Sequence, residues 1–101
     1  RKQDQFPLMF EGPWIPALGF GYALKRSMIL VIANHDLDHR HRHWIRTDNL
    51  PENFQKVLSS ATVIFTSESR NIEIDLSLEI GDRALCAEFL PGEVKIIEIS
   101  C

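Results

Sequence analysis

The most regular hydrophobic pattern of the chain runs from Asn71 to Ile80. Apolar and polar residues alternate strictly along this segment, which reads NIEIDLSLEI. A period of two is typical of a β-strand that has one buried face and one solvated face. We therefore predict a strand over residues 71–80, with isoleucine and leucine on its core side and acidic or hydroxyl side chains on its solvent side.

Three neighbouring segments have the residue types of further strands. The stretch 61–67 is rich in β-branched residues, and the stretches 83–90 and 94–99 are mainly apolar. Between them, Gly81-Asp82 favours a type II′ hairpin turn, and Pro91-Gly92 favours a second tight turn. The pattern over residues 61–99 therefore predicts a four-stranded antiparallel meander.

The last of these strands has an irregular pattern. Its apolar phase slips by one residue between Ile96 and Ile97. Since side chains alternate strictly along a regular strand, the slip indicates either a β-bulge or a strand that is buried on both faces.

One short helix is predicted at about residues 51–59. Asp48 or Asn49 is suited to cap it, Pro51 fits its first turn, and Glu52 favours the positive end of the helix dipole. At helical spacing, one side of this segment is apolar, which is the pattern of a helix that packs on a sheet. The apolar side consists of Leu50, Phe54, Val57 and Leu58.

The first third of the chain is less regular. The continuous apolar run from Met28 to Ala33 predicts a central strand that is covered on both faces. Residues 6–10 are compatible with a strand, whereas Pro16, Gly19 and Gly21 argue against any regular element between residues 13 and 22. The polar start of the chain, residues 1–5, is expected to be a loose tail.

Together these elements predict an α+β fold that is mostly β. We expect an antiparallel meander, arranged as a small sandwich or a partly open barrel, with one short helix, in a single domain over residues 1–101. The composition agrees, because 45% hydrophobic and 25% charged residues are the balance of a globular chain. No apolar run approaches the ~18 residues of a membrane-spanning helix.

Charge and cysteine content restrict the expected class of partner and the expected cellular location of the protein. Eleven basic against fourteen acidic residues give a net charge of −3, which argues against nucleic acid as a partner, since phosphate binding needs a basic excess. The two cysteines, Cys86 and Cys101, are too few for a disulfide framework. We therefore expect reduced thiols and a cytoplasmic location, with a single disulfide bridge as the alternative.

All four histidines of the chain occur close together, at His35, His39, His41 and His43. In an extended conformation the last three share a face, and in a helix the first, second and fourth align. Either arrangement offers three imidazoles to one ion, with an aspartate beside them, which suits zinc or nickel. The sequence thus allows a metal-binding or metal-dependent hydrolytic domain, although a solvated histidine-rich loop and a pH-responsive contact are alternatives.

The same segment contains a basic cluster of Arg40, Arg42 and Arg46. Arginine is the preferred partner of phosphate and carboxylate groups. Three aspartates nearby balance this charge, so structural salt bridges are the favoured interpretation and nucleic-acid binding is disfavoured.

No catalytic set of residues is identifiable. Cys86 lies among small apolar residues and is interpreted as a buried filler, and none of the serines lies in a nucleophile elbow. A metal bound by the histidines is the one route to catalysis that the sequence offers, so a non-catalytic role is favoured.

Aromatic residues are concentrated near the start of the chain, among prolines and glycines that hinder their burial. Exposed aromatic side chains are typical anchors of protein interfaces, and an open sheet also leaves strand edges for pairing. Our leading hypothesis is therefore a protein-interaction module that binds a protein partner or its own copy through an exposed strand edge and this aromatic segment. The candidate contact residues are Phe10, Trp14, Phe20, Tyr22 and Trp44.

Overall fold

The computed structural model describes residues 5–12, 15–68, 79–81 and 83–101, and β-strands make up most of these. In chain order the strands are β1 (Gln5–Pro7), β2 (Ala17–Ala23), β3 (Ser27–Asn34), β4 (His41–Arg46), β5 (Thr62–Thr66), β6 (Glu79–Ile80), β7 (Ala84–Phe89) and β8 (Val94–Ser100). A short helix, α1 (Glu52–Gln55), and a 3-10 turn at Leu58–Ser60 connect β4 with β5. The predicted fold class, mostly β and antiparallel with a short helix, is confirmed.

The strands form two antiparallel sheets. Sheet A has the order β1-β2-β3-β8-β5, and sheet B has the order β4-β7-β6. Of the pairing predicted for residues 61–99, the hairpin of β6 with β7 is confirmed, but the continuous meander is wrong, because β7 and β8 lie in different sheets and β5 pairs with β8. The consecutive strands β1, β2 and β3 also pair as a meander. Alternation of apolar residues shows that a strand has a buried face, but it does not identify the strand to which it is hydrogen-bonded.

The two predicted turns have different outcomes. The Pro91-Gly92 turn is confirmed, because Gly92 has a φ of 67° and the Glu93 N–H donates to the Leu90 carbonyl at 3.0 Å. This turn leads from sheet B to sheet A. The type II′ turn predicted at Gly81-Asp82 is wrong at Gly81, which lacks the positive φ that this turn requires; the Gly81 N–H donates to the Ala84 carbonyl at 2.8 Å, and residue 82 lies outside the described residues. Of the predicted strand 71–80, residues 71–78 lie outside the described residues.

A β-bulge lies beside Ile96 and Ile97, in the strand that pairs with β8. In the pairing of β5 with β8, Val63 is opposite Ile97 and Phe65 is opposite Ile96, so that Ile64 is the additional residue. This bulge does not explain the slip in β8, which alternates regularly: its apolar phase slips because Ile96 and Ile97 lie on opposite sides of the sheet and both sides are apolar. The bulge predicted for β8 is therefore wrong.

Strand β2 occupies a segment for which no regular element was expected. Its glycines face the core, where the N-terminal segment crosses the sheet. A Cβ atom at Gly19 would lie 2.9 Å from the Val31 carbonyl oxygen, and one at Gly21 would lie 2.6 Å from the Phe6 ring. These residues thus permit close approach within a strand.

The loose tail predicted for residues 1–5 is wrong at Gln5, which lies in β1 and pairs with Tyr22 of β2. Residues 1–4 lie outside the described residues.

The N-terminal segment connects the two sheets along one side. The Leu8 N–H donates to the Gly19 carbonyl in sheet A at 3.0 Å, and Phe10 forms an isolated antiparallel bridge with Ile45 in sheet B. This crossing closes one side of the sandwich.

A single hydrophobic core fills the space between the sheets. Alternate residues of β3 and β8 meet alternate residues of β4 and β7 there, and α1 covers one end. Phe54 and Leu58 of the helical segment are buried, as predicted, although the helix begins after Pro51 and has no side-chain cap. The fully buried core side chains include Met28, Leu30, Ile32, Ile45, Leu85, Phe89, Ile97 and Ile99.

Among the described residues, the helices are too short to cross a membrane.

Candidate functional site

The face of sheet A that points away from the core is also apolar. Strand β3 is the central strand, as predicted, and its core side is fully buried at Met28, Leu30 and Ile32. Its other side consists of Ile29, Val31 and Ala33, which are only partly buried. The prediction that this strand is covered on both faces is therefore wrong among the described residues, because the second face of the run is apolar but open.

Strand register brings side chains of four strands into one row on this face. Phe20 of β2 is opposite Val31 of β3, Val31 is opposite Ile96 of β8, and Ile96 is opposite Phe65 of β5. The row therefore has an aromatic ring at each end and two β-branched residues between them. Cross-strand neighbours of this kind stabilise one another; Phe65 is exposed, and the other three side chains of the row are partly buried.

Two further rows extend the surface. Leu18 is opposite Ala33, which is opposite Val94, and Tyr22 is opposite Ile29. Leu18 is 68% exposed, Phe65 is 47% exposed and Tyr22 is 37% exposed. We call this surface the apolar face; it consists of Leu18, Phe20, Tyr22, Ile29, Val31, Ala33, Phe65, Val94 and Ile96.

The apolar face is extensive for so small a protein. Four strands about 4.8 Å apart and about 3.3 Å per residue along each give a surface of roughly 20 Å by 20 Å, or about 400 Å². That area is comparable to the largest apolar patch of a typical monomer, which is often functional. At the β1 side, an open groove of about 420 Å³ is lined by Gln5, Pro7, Leu18 and Phe20, together with Phe6 and Gly19.

The outer face of sheet B has the opposite character. Its arginines lie beside acidic side chains, with Arg40 3.7 Å from Glu88 and Arg42 3.9 Å from Glu79. These paired charges and the partly exposed Trp44 make a mixed and solvated surface.

The third arginine of the predicted basic cluster is also paired. Arg46 lies 2.5 Å from Asp48, and its guanidinium holds the pKa of the Asp48 carboxyl below its usual range. Each member of the cluster thus has an acidic neighbour, which supports the salt-bridge interpretation over phosphate binding.

Two of the histidines share one carboxylate. His41 Nε2 lies 2.7 Å from Asp36 Oδ2, and His39 Nδ1 lies 3.1 Å from the same oxygen. The His41 contact, with further hydrogen bonds from the backbone N–H groups of Asp38 and His39, holds the pKa of Asp36 well below its usual range. Asp36 therefore organises the loop between β3 and β4.

His43 has a different environment, because its side chain points into the core. Its Nε2 lies 3.2 Å from the Asn34 Oδ1, and its ring lies 5.4 Å from that of Phe89 and stacks at 5.3 Å on that of His41. Burial, with the nearby His41 and His35, lowers the pKa of His43 to about 4.

The histidines do not converge on one point. His35 and His39 are exposed in the loop, His41 is at the sheet margin and His43 is in the core. In the part of the chain that the structure describes, no three side chains of the histidine, cysteine, aspartate or glutamate type are arranged to hold a metal ion. The zinc or nickel hypothesis, and the hydrolytic chemistry that depends on it, gains no support from this arrangement.

The predicted contact residues are distributed over the molecule. Phe20 and Tyr22 lie on the apolar face, with their rings 5.7 Å apart in an edge-to-face contact. Phe10 packs against the core, Trp44 lies on sheet B, and Trp14 lies outside the described residues. The aromatic side chains thus do not form one surface.

Sequence reasoning missed most of the apolar face. Leu18, Val31, Phe65 and Ile96 were assigned to strands or to an irregular segment, without a surface role. The available signal was the unbroken run from Met28 to Ala33, because a strand with apolar residues at every position has two apolar faces.

Cys86 is not arranged as an activated nucleophile. Cys86 and Cys101 are both free. Cys86 is fully buried in β7, and burial raises the pKa of its thiol, which disfavours the reactive thiolate.

Comparisons with protein-family models, with curated proteins and with solved structures found no match for this chain.

Proposed function

We propose that this chain is a non-catalytic protein-interaction module that binds through the apolar face of sheet A. The observation that carries the proposal is the row Phe20, Val31, Ile96 and Phe65, which crosses four strands on the side of the sheet opposite the core. A contiguous apolar patch of this size is often functional, and a partner that covers it removes apolar area from water.

The energetics allow weak association. Covering about 400 Å² of apolar surface at ~25 cal/mol/Å² contributes about 10 kcal/mol before the costs of association. Those costs are ~4–15 kcal/mol, so the apolar face supports association of modest strength. Phe20 and Tyr22 supply the aromatic area that interface anchors provide in general.

The strand edges of sheet A are weaker candidates for docking than its face. Strand β1 is three residues long and ends in Pro7, which lacks a backbone donor. Strand β5 contains the bulge at Ile64. Short strands, prolines and bulges are the features that natural sheets use to prevent edge pairing.

A site-resolved cross-linking experiment tests the proposal. A photoreactive side chain is placed at Leu18 on the apolar face and, as a matched control, at the exposed Lys56 beyond α1. Both proteins are expressed in their native cells and illuminated. We expect discrete protein adducts at position 18 and none at position 56. Equal adducts at both positions, or none at position 18, would contradict the proposal.

The proposed setting of the module is a reducing, cytosol-like compartment. Both thiols are free, and one of them is buried within a strand as a small apolar side chain.

A further inference from the structure

We propose that the partner of the apolar face is a second copy of this chain, with the two sheets A packed face to face about a two-fold axis. This inference rests on the proposed function and adds the identity of the partner.

The central row of the apolar face is complementary to itself. Read from β2 to β5, it is aromatic, β-branched, β-branched and aromatic; read from β5 to β2, it has the same order of types. A two-fold axis parallel to the strands, between β3 and β8, places Phe20 of one copy over Phe65 of the other. An isologous interface requires such a self-matching surface, and sheets packed with aligned strands provide the geometry.

Charge at one end of the face is consistent with the same axis. Glu98 of β8 is the charged side chain in the row that contains Tyr22 and Ile29. Beyond this row, where β2 ends and β3 begins, the exposed Lys25 and Arg26 lie in the turn between the two strands. Rotation about the proposed axis keeps each residue at its own level along the strands, so that Glu98 of one copy lies over Ile29 of the other, at the end of the sheet that carries the basic turn. The attraction between Glu98 and this turn also favours this axis over one perpendicular to the strands, which moves these charges apart.

The area of the face determines the strength of the dimer. Two faces of about 400 Å² bury roughly 800 Å² in total, which is below the ~1,200–2,000 Å² of stable interfaces. We therefore expect a reversible dimer with a dissociation constant in the micromolar range or weaker.

Sedimentation equilibrium between about 1 μM and about 1 mM measures the association. We expect the native chain to move from monomer to dimer over this range, and Phe20→Glu to weaken dimerisation by about tenfold or more. The control is Trp44→Glu, which makes the same change to an aromatic residue on the outer face of sheet B and should leave dimerisation unchanged. Circular dichroism and urea unfolding verify that both variants fold.

A disulfide-trapping experiment tests the axis itself. In a Cys101→Ser background, Phe20→Cys and Phe65→Cys chains are mixed under mild oxidation, which removes two electrons and two protons as each disulfide forms. We expect the mixed disulfide, which joins position 20 of one chain to position 65 of the other, to exceed either like-with-like disulfide several-fold. A statistical mixture would overturn the proposed axis.

The results separate the two proposals. A chain that stays monomeric up to about 1 mM, or a dimer that Phe20→Glu leaves intact, overturns self-association. If position 18 then still cross-links to a different protein, the interaction module stands with another partner. If position 18 gives no adduct, both proposals fail.

Discussion

Several polar side chains are buried where the two sheets meet, and specific hydrogen bonds hold each of them. Asn34 donates from its Nδ2 to the carbonyls of His39 and Leu90 and lies beside His43. Glu93 accepts hydrogen bonds from the Leu90 N–H and the Thr66 hydroxyl. These contacts hold the β3–β4 loop and the β7–β8 turn at the end of the core, where an apolar side chain would leave backbone groups unsatisfied.

His43 makes stability depend on pH. Its pKa falls from 6.5 in the unfolded chain to about 4 in the fold, so the unfolded state binds the proton first as the pH decreases. Stability is therefore fully present above pH 6.5 and is lost as the pH falls toward 4, by up to about 3 kcal/mol at ~1.4 kcal/mol per pKa unit. Urea unfolding between pH 7 and pH 4 measures this loss.

A pair of variants attributes the loss to His43. His43→Gln should remove most of the pH dependence in this range, whereas His35→Gln, at an exposed position, should retain it. An unchanged pH dependence in His43→Gln would show that other groups cause it.

Lys95 and Glu93 form a buried charged pair. Both side chains are fully buried, with Lys95 Nζ 4.0 Å from Glu93 Oε2 and 2.6 Å from the Glu88 carbonyl oxygen. Lys95→Met leaves the carboxylate in the core without this cation, and we expect it to lower the free energy of unfolding by about 3–5 kcal/mol. Urea unfolding is the measurement.

The matching double variant tests the charge as the cause. Adding Glu93→Gln to Lys95→Met removes the buried negative charge, so most of the lost stability should return. If the double variant loses as much free energy of unfolding as the two single variants together, packing and not the buried charge is the cause.

Among the secondary-structure elements, β2 shows how a strand can depend on its glycines. It carries its apolar residues on the outer face and has glycine on the core face, which leaves space for Leu8 and Phe6 of the crossing segment. The N-terminal segment thus packs over a strand whose own side chains point to the other side.

We predict that Gly19→Ala destabilises the protein. The added Cβ would lie 2.9 Å from the backbone oxygen of Val31, which cannot move without disturbing the sheet, and overpacking of this kind costs about 1–3 kcal/mol. Gly81→Ala is the matched control, because its Cβ would have no neighbour closer than 3.4 Å. Thermal or urea unfolding of the two variants should differ; equal stabilities would contradict the assigned register of β2 with β3.

At the scale of the whole molecule, the sheet order determines where the fold is most resistant to opening. Strands β3 and β8 are hydrogen-bonded on both sides, whereas β1 and β5 are at the edges of sheet A. The two central strands also contribute fully buried side chains to the core. Opening them requires the loss of most of the structure, which is the condition for slow amide exchange.

Hydrogen exchange followed by NMR should reproduce this order. We expect the slowest amides in β3 and β8, at Leu30, Ile32 and Ile97, and faster exchange at Phe6 in β1. The comparison of central with edge amides in one sample is its own control. Protection in β1 equal to that in β3 would contradict the sheet order.

The two outer faces of the molecule also differ in character. The outer face of sheet B carries paired charges, and the outer face of sheet A is the apolar face. This asymmetry arises from the assembly of strands that are distant in the chain, since β3 and β5 are joined only through β8.

The amino-acid sequence by itself determined the β-rich class, the short helix, the strands at 62–66, 84–89 and 94–100 and the Pro91-Gly92 turn. These follow from alternation, residue preference and turn chemistry, which act over a few neighbouring residues. Only the tertiary structure decided that β7 and β8 belong to different sheets, that the glycines of β2 lie within a strand, and that the four histidines separate into loop, margin and core. It also decided that the second side of the run from Met28 to Ala33 forms part of an open apolar face. The physical reason is that local pattern specifies which positions share a side of a strand, whereas what lies against that side depends on residues far away in the chain.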